Sequence, residues 1–285
     1  MSVGKIRRYP PPFSNVVAAG VATNEIKTLR TIEQLQLKLG GTTFTKAMIT
    51  DLKVKVNGKT IWQGTGTQLD KLSAFRGETV NANFLNINFT DLRGLGEVDR
   101  MVGALDCSLI QAKSAAQACT INLEVTIAGA TAPTLLCMVV ESAPQSDPAG
   151  NPLLIADLVT KVLRYPYNVA AGGQLSIPLP FGANIGTRIK RLHLEHTGNA
   201  IAMLIRQDGN VIHESLLAEV QYEQTRQVPA LVPQTNWYSV DWMMDGNFLK
   251  TLNTNDAKSL ELIPTFSAAD NGYVIVEYVD PLGNL

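Results

Sequence analysis

The clearest pattern along the chain is alternation of apolar and polar positions. In EQLQLKL, Leu35, Leu37 and Leu39 share one side while Gln34, Gln36 and Lys38 take the other. That period of two marks a strand buried on one face. LKVKVNGKTIW repeats it, with Leu52, Val54 and Val56 set against lysines. Asn57-Gly58 then supplies the dipeptide favoured in two-residue hairpin turns, where both central residues need positive φ. Further strands are predicted at 84–89, 119–127, 134–140, 174–180, 189–196, 202–206, 238–244, 259–266 and 273–279. Pro178 and Pro264 suit strand edges or bulges, because proline has no N–H to give a ladder. Helical spacing is confined to three short runs: 67–77 with Leu69, Leu72 and Phe75, 154–164 with Ile155, Leu158, Val159 and Leu163, and 214–226 with Leu217 and Val220. Many short strands separated by turn signals predict an all-β chain of sandwiches or barrels.

The pattern occurs twice. RYPPPFSNVVAAG begins at Arg8 and RYPYNVAAGG at Arg164, and their asparagines, Asn15 and Asn168, lie 153 positions apart. The hairpin dipeptides Asn57-Gly58 and Asp208-Gly209 lie 151 apart, each followed by a short helical run. The aromatic strands FLNINF and WYSVDW begin at Phe84 and Trp237, again 153 apart. A nearly constant offset predicts two tandem copies of one β fold. The predicted layout is an arm over residues 1–14, stiffened by Pro10, Pro11 and Pro12, a first copy over 15–145, a linker with a short helix over 146–166, and a second copy over 167–285.

Composition narrows the function classes. The 285 residues are 45% apolar and 17% charged, with a formal net charge of −1, so no bulk field attracts nucleic acid. No secretion signal is read at the N-terminus, and no run reaches the roughly 18 apolar residues a membrane span requires. Cys107, Cys119 and Cys137 form neither a zinc pattern nor an even disulfide framework and read as buried thiols made in a reducing compartment. His193 and His196 are three apart on a strand and point to opposite sides, which removes a shared metal site. No serine-nucleophile or phosphate-loop motif occurs, and GLGEVDR (94–100) reads as a surface loop. Asp241, Asp245 and Glu261 could serve a glycosidase or other hydrolase, and Trp62, Trp237 or Trp242 a sugar-binding platform. The simpler readings are a solvated strand face with a turn at Asp245-Gly246-Asn247, and packed aromatics. Lys5, Arg7 and Arg8 form a basic cluster that could touch lipid headgroups or an acidic neighbour.

With no catalytic constellation, a tandem β-sandwich suggests an architectural protein. NVVAAG, ITDLKVKVNGKTIWQGTGTQLDKL and the terminal YSVDWMMDGNFLKTLNTNDAKSLELIPTFSAADNGYVIVEYV resemble the major capsid proteins of corticovirus-type tailless, membrane-containing double-stranded DNA bacteriophages. The resemblance implies two tandem eight-stranded jelly rolls, a double jelly roll, with short helices in loops. It implies a homotrimer of pseudo-hexagonal outline that tiles an icosahedral shell over an internal membrane, with no enzymatic turnover. The implied partners are neighbouring capsomers, vertex or minor capsid proteins, and the underlying lipid or its membrane proteins, without sequence-specific nucleic-acid contact. The implied location is the virion capsid, assembled in the host bacterial cytoplasm. No cofactor is expected, and a structural cation such as calcium between subunits has no ligand set in the sequence. The alternative reading is a carbohydrate-binding or adhesion module.

Overall fold

The computed structural model describes residues 4–113, 119–145, 149, 157–181 and 187–285. The chain divides into two compact units, one of 1–74, 78–162 and 281–285, the other of 75–77 and 163–280. Strands in the first are β1 (Ile6–Arg8), β2 (Gly20–Lys27), β3 (Thr31–Gly40), β4 (Ile49–Val56), β5 (Lys59–Gly64), β6 (Phe84–Asn88), β7 (Leu105–Asp106), β8 (Thr120–Ile127) and β9 (Thr134–Ser142). Helix α1 (Gly66–Phe75) joins β5 to β6, and the short α2 (Glu97–Met101) and α3 (Cys107–Lys113) lie between β6 and β8. Strand β10 (Leu158–Val169) begins in the first unit and continues into the second. The second unit adds β11 (Gly173–Gln174), β12 (Ile177–Pro178), β13 (Arg188–Glu195), β14 (Ala200–Gln207), β15 (Asn210–Leu216), α4 (Leu217–Thr225), β16 (Trp237–Asp241), β17 (Leu252–Asn253), β18 (Leu260–Phe266) and β19 (Asp270–Pro281).

Both units follow one topology. In the first, one sheet runs β1-β9-β3-β6 and the other β5-β4-β8-β2. In the second, the orders are β10-β19-β13-β16 and β15-β14-β18 followed by the two pieces β11 and β12. Setting aside the two-residue strands β7 and β17 and counting β11 and β12 as one, the first strand of each unit pairs with the eighth and the second with the seventh. That is the strand order of a jelly roll. The inward faces are those the alternation marks: Leu35, Leu37, Leu39, Leu52, Val54 and Val56 are all buried. Each such side chain contributes roughly 1.5–3 kcal/mol of transfer free energy.

The repeat features take the same place in both rolls. Asn57-Gly58 closes β4–β5 and Asp208-Gly209 closes β14–β15, all four residues at positive φ. Each hairpin carries a register shift at the same place, between Val54 and Lys55 and between Ile205 and Arg206. The opening repeat extends further than RYP: KIRRYP (5–10) matches KVLRYP (161–166).

Several expectations change. The run 154–164 was expected to be helical, but its described part from Leu158 is strand β10. Valines 159 and 162 and Thr160 are β-branched and stiff at χ1, which favours the extended backbone. The segment Ile6–Arg8, assigned to a free arm, is the first strand of the first roll and pairs antiparallel with β9, Ile6 opposite Glu141. Glu214–Leu216, expected at the start of a helix, ends β15. Pro264 lies in β18, an interior strand, opposite the break between β11 and β12 where a missing N–H costs least.

The free edge of β2 is covered from within the first unit. Ser14 and Thr23 exchange backbone hydrogen bonds of 2.9 and 3.1 Å, Asn15 Nδ2 donates to the Val21 carbonyl, and Arg8 donates to that of Lys27.

Candidate assembly surfaces and buried charge

The basic cluster expected at the N-terminus is split three ways. Lys5 Nζ lies 2.5 Å from the buried Glu33 carboxylate. Arg8 faces Glu141, Nη2 donating at 2.7 Å and Nε at 3.1 Å to both carboxylate oxygens. Two of the three cations therefore neutralise buried acids of their own roll. Arg7, between them, is exposed and takes no ion-pair partner among the described residues. Exposed apolar side chains gather on strands and loops at unit edges, among them Ile6 and Tyr9 near β1 and Val211, Ile212 and Leu216 on β15.

The candidate chemistry of the second unit is buried charge. Register places Arg191 of β13 between Asp241 of β16 and Glu277 of β19. Its Nε donates to Asp241 at 2.8 Å and its Nη1 to Glu277 at 3.1 Å. Arg76, from the turn after α1, reaches Glu277 at 2.8 Å. Two residues along β13, on the same face, His193 sets Nε2 at 3.2 Å from Glu277 and Nδ1 at 2.7 Å from the Ser239 hydroxyl. Phe75 meets the imidazole edge-on at 5.2 Å. Burial pushes the Glu277 carboxyl up, but the Arg76 and Arg191 guanidiniums overcome it and hold the group well below the ordinary carboxylate range. Burial lowers His193, against the pull of Glu277, so it is neutral at physiological pH. The side chains of Arg191, His193, Asp241 and Glu277 have no exposed surface, so no substrate can reach them. The array holds three strands together.

The sequence located His193 and Asp241 but not their partners Arg76, Arg191 and Glu277. The available signal was a charge inside an apolar run, as in IKRLHLEH and YVIVEYV. Glu261 lies on β18, in the other sheet from Asp241, and Asp245 pairs with Lys250 in an exposed turn. The hydrolase arrangement of these acids is not present. Trp62 and Trp237, at 2% exposure each, pack against Phe89 and His193 and offer no sugar platform. All three cysteines are buried, and burial pushes the Cys137 thiol up to about 12. Among the described residues no group of histidine, cysteine and carboxylate side chains could hold a metal, and no helix is long and apolar enough to cross a membrane.

Family models match both rolls. The Viral coat protein P2 N-terminal domain covers residues 8–142 and the Viral coat protein P2 C-terminal domain residues 159–282. The chain belongs to the viral coat protein P2 family. The family expected from the sequence resemblance is therefore the observed one. Among solved structures, the major capsid protein P2 of bacteriophage PM2 is similar over 98% of both chains, with a TM-score of 0.80 and 18% identity. The major capsid protein of Sulfolobus Turreted Icosahedral Virus, STIV, aligns over 99% of this chain and 98% of its own, with a TM-score of 0.72 and 13% identity. VP54 of the virus PBCV-1 aligns over 96% and 93%, with a TM-score of 0.63 and 11% identity. A search of the curated proteins found no match. The coat protein thus has the double jelly-roll fold, and the carbohydrate-binding alternative is not favoured.

Proposed function

We propose that this coat protein is the major capsid protein of a tailless icosahedral bacteriophage and acts mechanically, as a trimer of pseudo-hexagonal outline. The observation that carries the reading is one strand order used twice in one chain, so that three chains offer six similar rolls around a threefold axis. Such trimers tile a shell over an internal membrane, with vertex and minor capsid proteins and lipid or membrane proteins as further partners. Assembly in the host bacterial cytoplasm suits three buried, reduced thiols. The coat protein catalyses nothing in this role. Of the N-terminal cluster Lys5, Arg7 and Arg8, Arg7 is the one available to a neighbouring subunit or a headgroup, because Lys5 and Arg8 are engaged within the roll.

Light scattering on the purified protein tests the reading. The expected mass is three times the 30.9 kDa of one chain, with pseudo-hexagonal particles by electron microscopy. A monomer at all concentrations would refute it. The assembly uses no cofactor in this reading. Titrating calcium into chelator-treated protein and following the trimer's melting temperature tests that point, a rise revealing a cation held between subunits.

A further inference from the structure

The two rolls differ in what lies along the open edges of their sheets. Strand β5, the fifth of the first roll, has a parallel neighbour: Val162 at the start of β10 lies opposite Trp62, both residues within the first unit. Both are buried, Val162 completely and Trp62 to 2% exposure. Strand β15, the fifth of the second roll, pairs only with β14 among the described residues. Strand β1, the equivalent of β10, pairs only with β9. Ile6, which matches Val162 in the repeat, is 37% exposed, and Val211 of β15 is 52% exposed.

Equivalent positions follow from the repeat itself. The shared register shift makes Val54 equivalent to Ile205 and Trp62 to His213. KIRRYP and KVLRYP make Ile6 equivalent to Val162 and Arg7 to Leu163. The pair Val162–Trp62 therefore has the counterpart Ile6–His213. One position further along the two strands stand Arg7 and Glu214, two exposed residues of opposite charge with no ion-pair partner among the described residues. Beside β15 opens a groove of about 360 Å³ walled by Ile212, Glu214, Glu219, Glu223, Val220 and Trp242, with no lysine or arginine in its lining.

We propose that β1 of one subunit runs parallel along the open edge of β15 of a neighbouring subunit, with Ile6 opposite His213 and Arg7 opposite Glu214. This inference rests on the trimer reading and names the contact that closes the trimer. The contact is heterologous, so it closes into a ring when the rotation per subunit divides the circle. Backbone pairing joins the strands. The Arg7–Glu214 pair fixes the register, since a one-residue slip faces Arg7 with a neutral neighbour, Ser215 or His213.

The test mixes two differently tagged proteins, I6C and H213C, under a mild oxidant such as copper phenanthroline and reads the disulfide-linked heterodimer on a non-reducing gel. The expected result is a linked band of both tags, absent from either single variant alone. In parallel, R7E and E214R should each shift the mass distribution toward monomer, and the R7E/E214R pair should restore trimer. Far-ultraviolet circular dichroism confirms that the variants, both on exposed side chains, remain folded. A trimeric wild type without the heterodimer band, or with R7E and E214R both neutral, overturns this contact and leaves the trimer standing. A monomeric wild type overturns both.

Discussion

At the scale of single residues, sensitivity to substitution is greatest at charges that meet no water. Glu277 balances Arg76 and Arg191, and Arg191 also faces Asp241. Removing Glu277 takes a counter-charge from two buried guanidiniums at once. Glu277→Gln is expected to cost about 3–5 kcal/mol in urea denaturation, far more than any exposed pair such as Arg226–Glu223. The same groups contribute to the acid limit. His193 in the native state binds protons less readily than in the unfolded chain, whose ordinary value is 6.5, and Glu277 less readily than its ordinary 4.5. Both contributions are present in full above those ordinary values. Unfolding free energy should therefore begin to fall below pH 6.5 and fall faster below 4.5 as the unfolded state takes up protons. His193→Gln should reduce the slope of the upper part of that profile, where His213, also lowered by burial, supplies the remainder, and leave the lower. Little of this was legible in the sequence: periodicity showed that β13 is buried, but not which distant carboxylates lie across from its arginine.

At the scale of elements, turn chemistry was the most readable feature. Gly58 and Gly209 stand at φ +83° and +79°, with open space where a side chain would go. Gly58→Ala and Gly209→Ala should each cost about 1 kcal/mol for backbone reasons alone, visible as equal drops in melting temperature. Strands with clean alternation, β3 and β4, were likewise legible. Strand β2 was not, because its inward positions Ala22, Asn24 and Ile26 include a buried amide that breaks the pattern. Strand β1 is three residues long and charged, so it carries no periodicity; its place is fixed by pairing with β9 and by Arg8 on Glu141. Arg8→Ala should weaken that attachment by roughly 2 kcal/mol, read as faster amide exchange at Val139–Glu141 with the rest of the roll unchanged.

At the scale of the whole molecule, tandem organisation was legible because a duplicated hairpin, helix and aromatic strand keep their offset in sequence. Unit boundaries were not, because they depend on contacts rather than spacing. The second unit takes Phe75–Gly77 from the end of α1 and the turn that follows, and with them Phe75 against His193 and Arg76 against Glu277. A fragment of residues 157–285 lacks both. It should melt well below the second transition of the full chain in calorimetry, and equal melting would show that the borrowed segment adds nothing.

The covering of the β2 edge by Ser14, Asn15 and Arg8 bears on how a coat protein escapes disordered self-association. A shell component is made in great numbers within a small volume, where any bare strand is a seed for disordered precipitate. Sealing that edge within the chain removes one such seed. It also confines stickiness to the edges left open, so that the order of events, folding first and joining afterwards, is written into which strands remain bare.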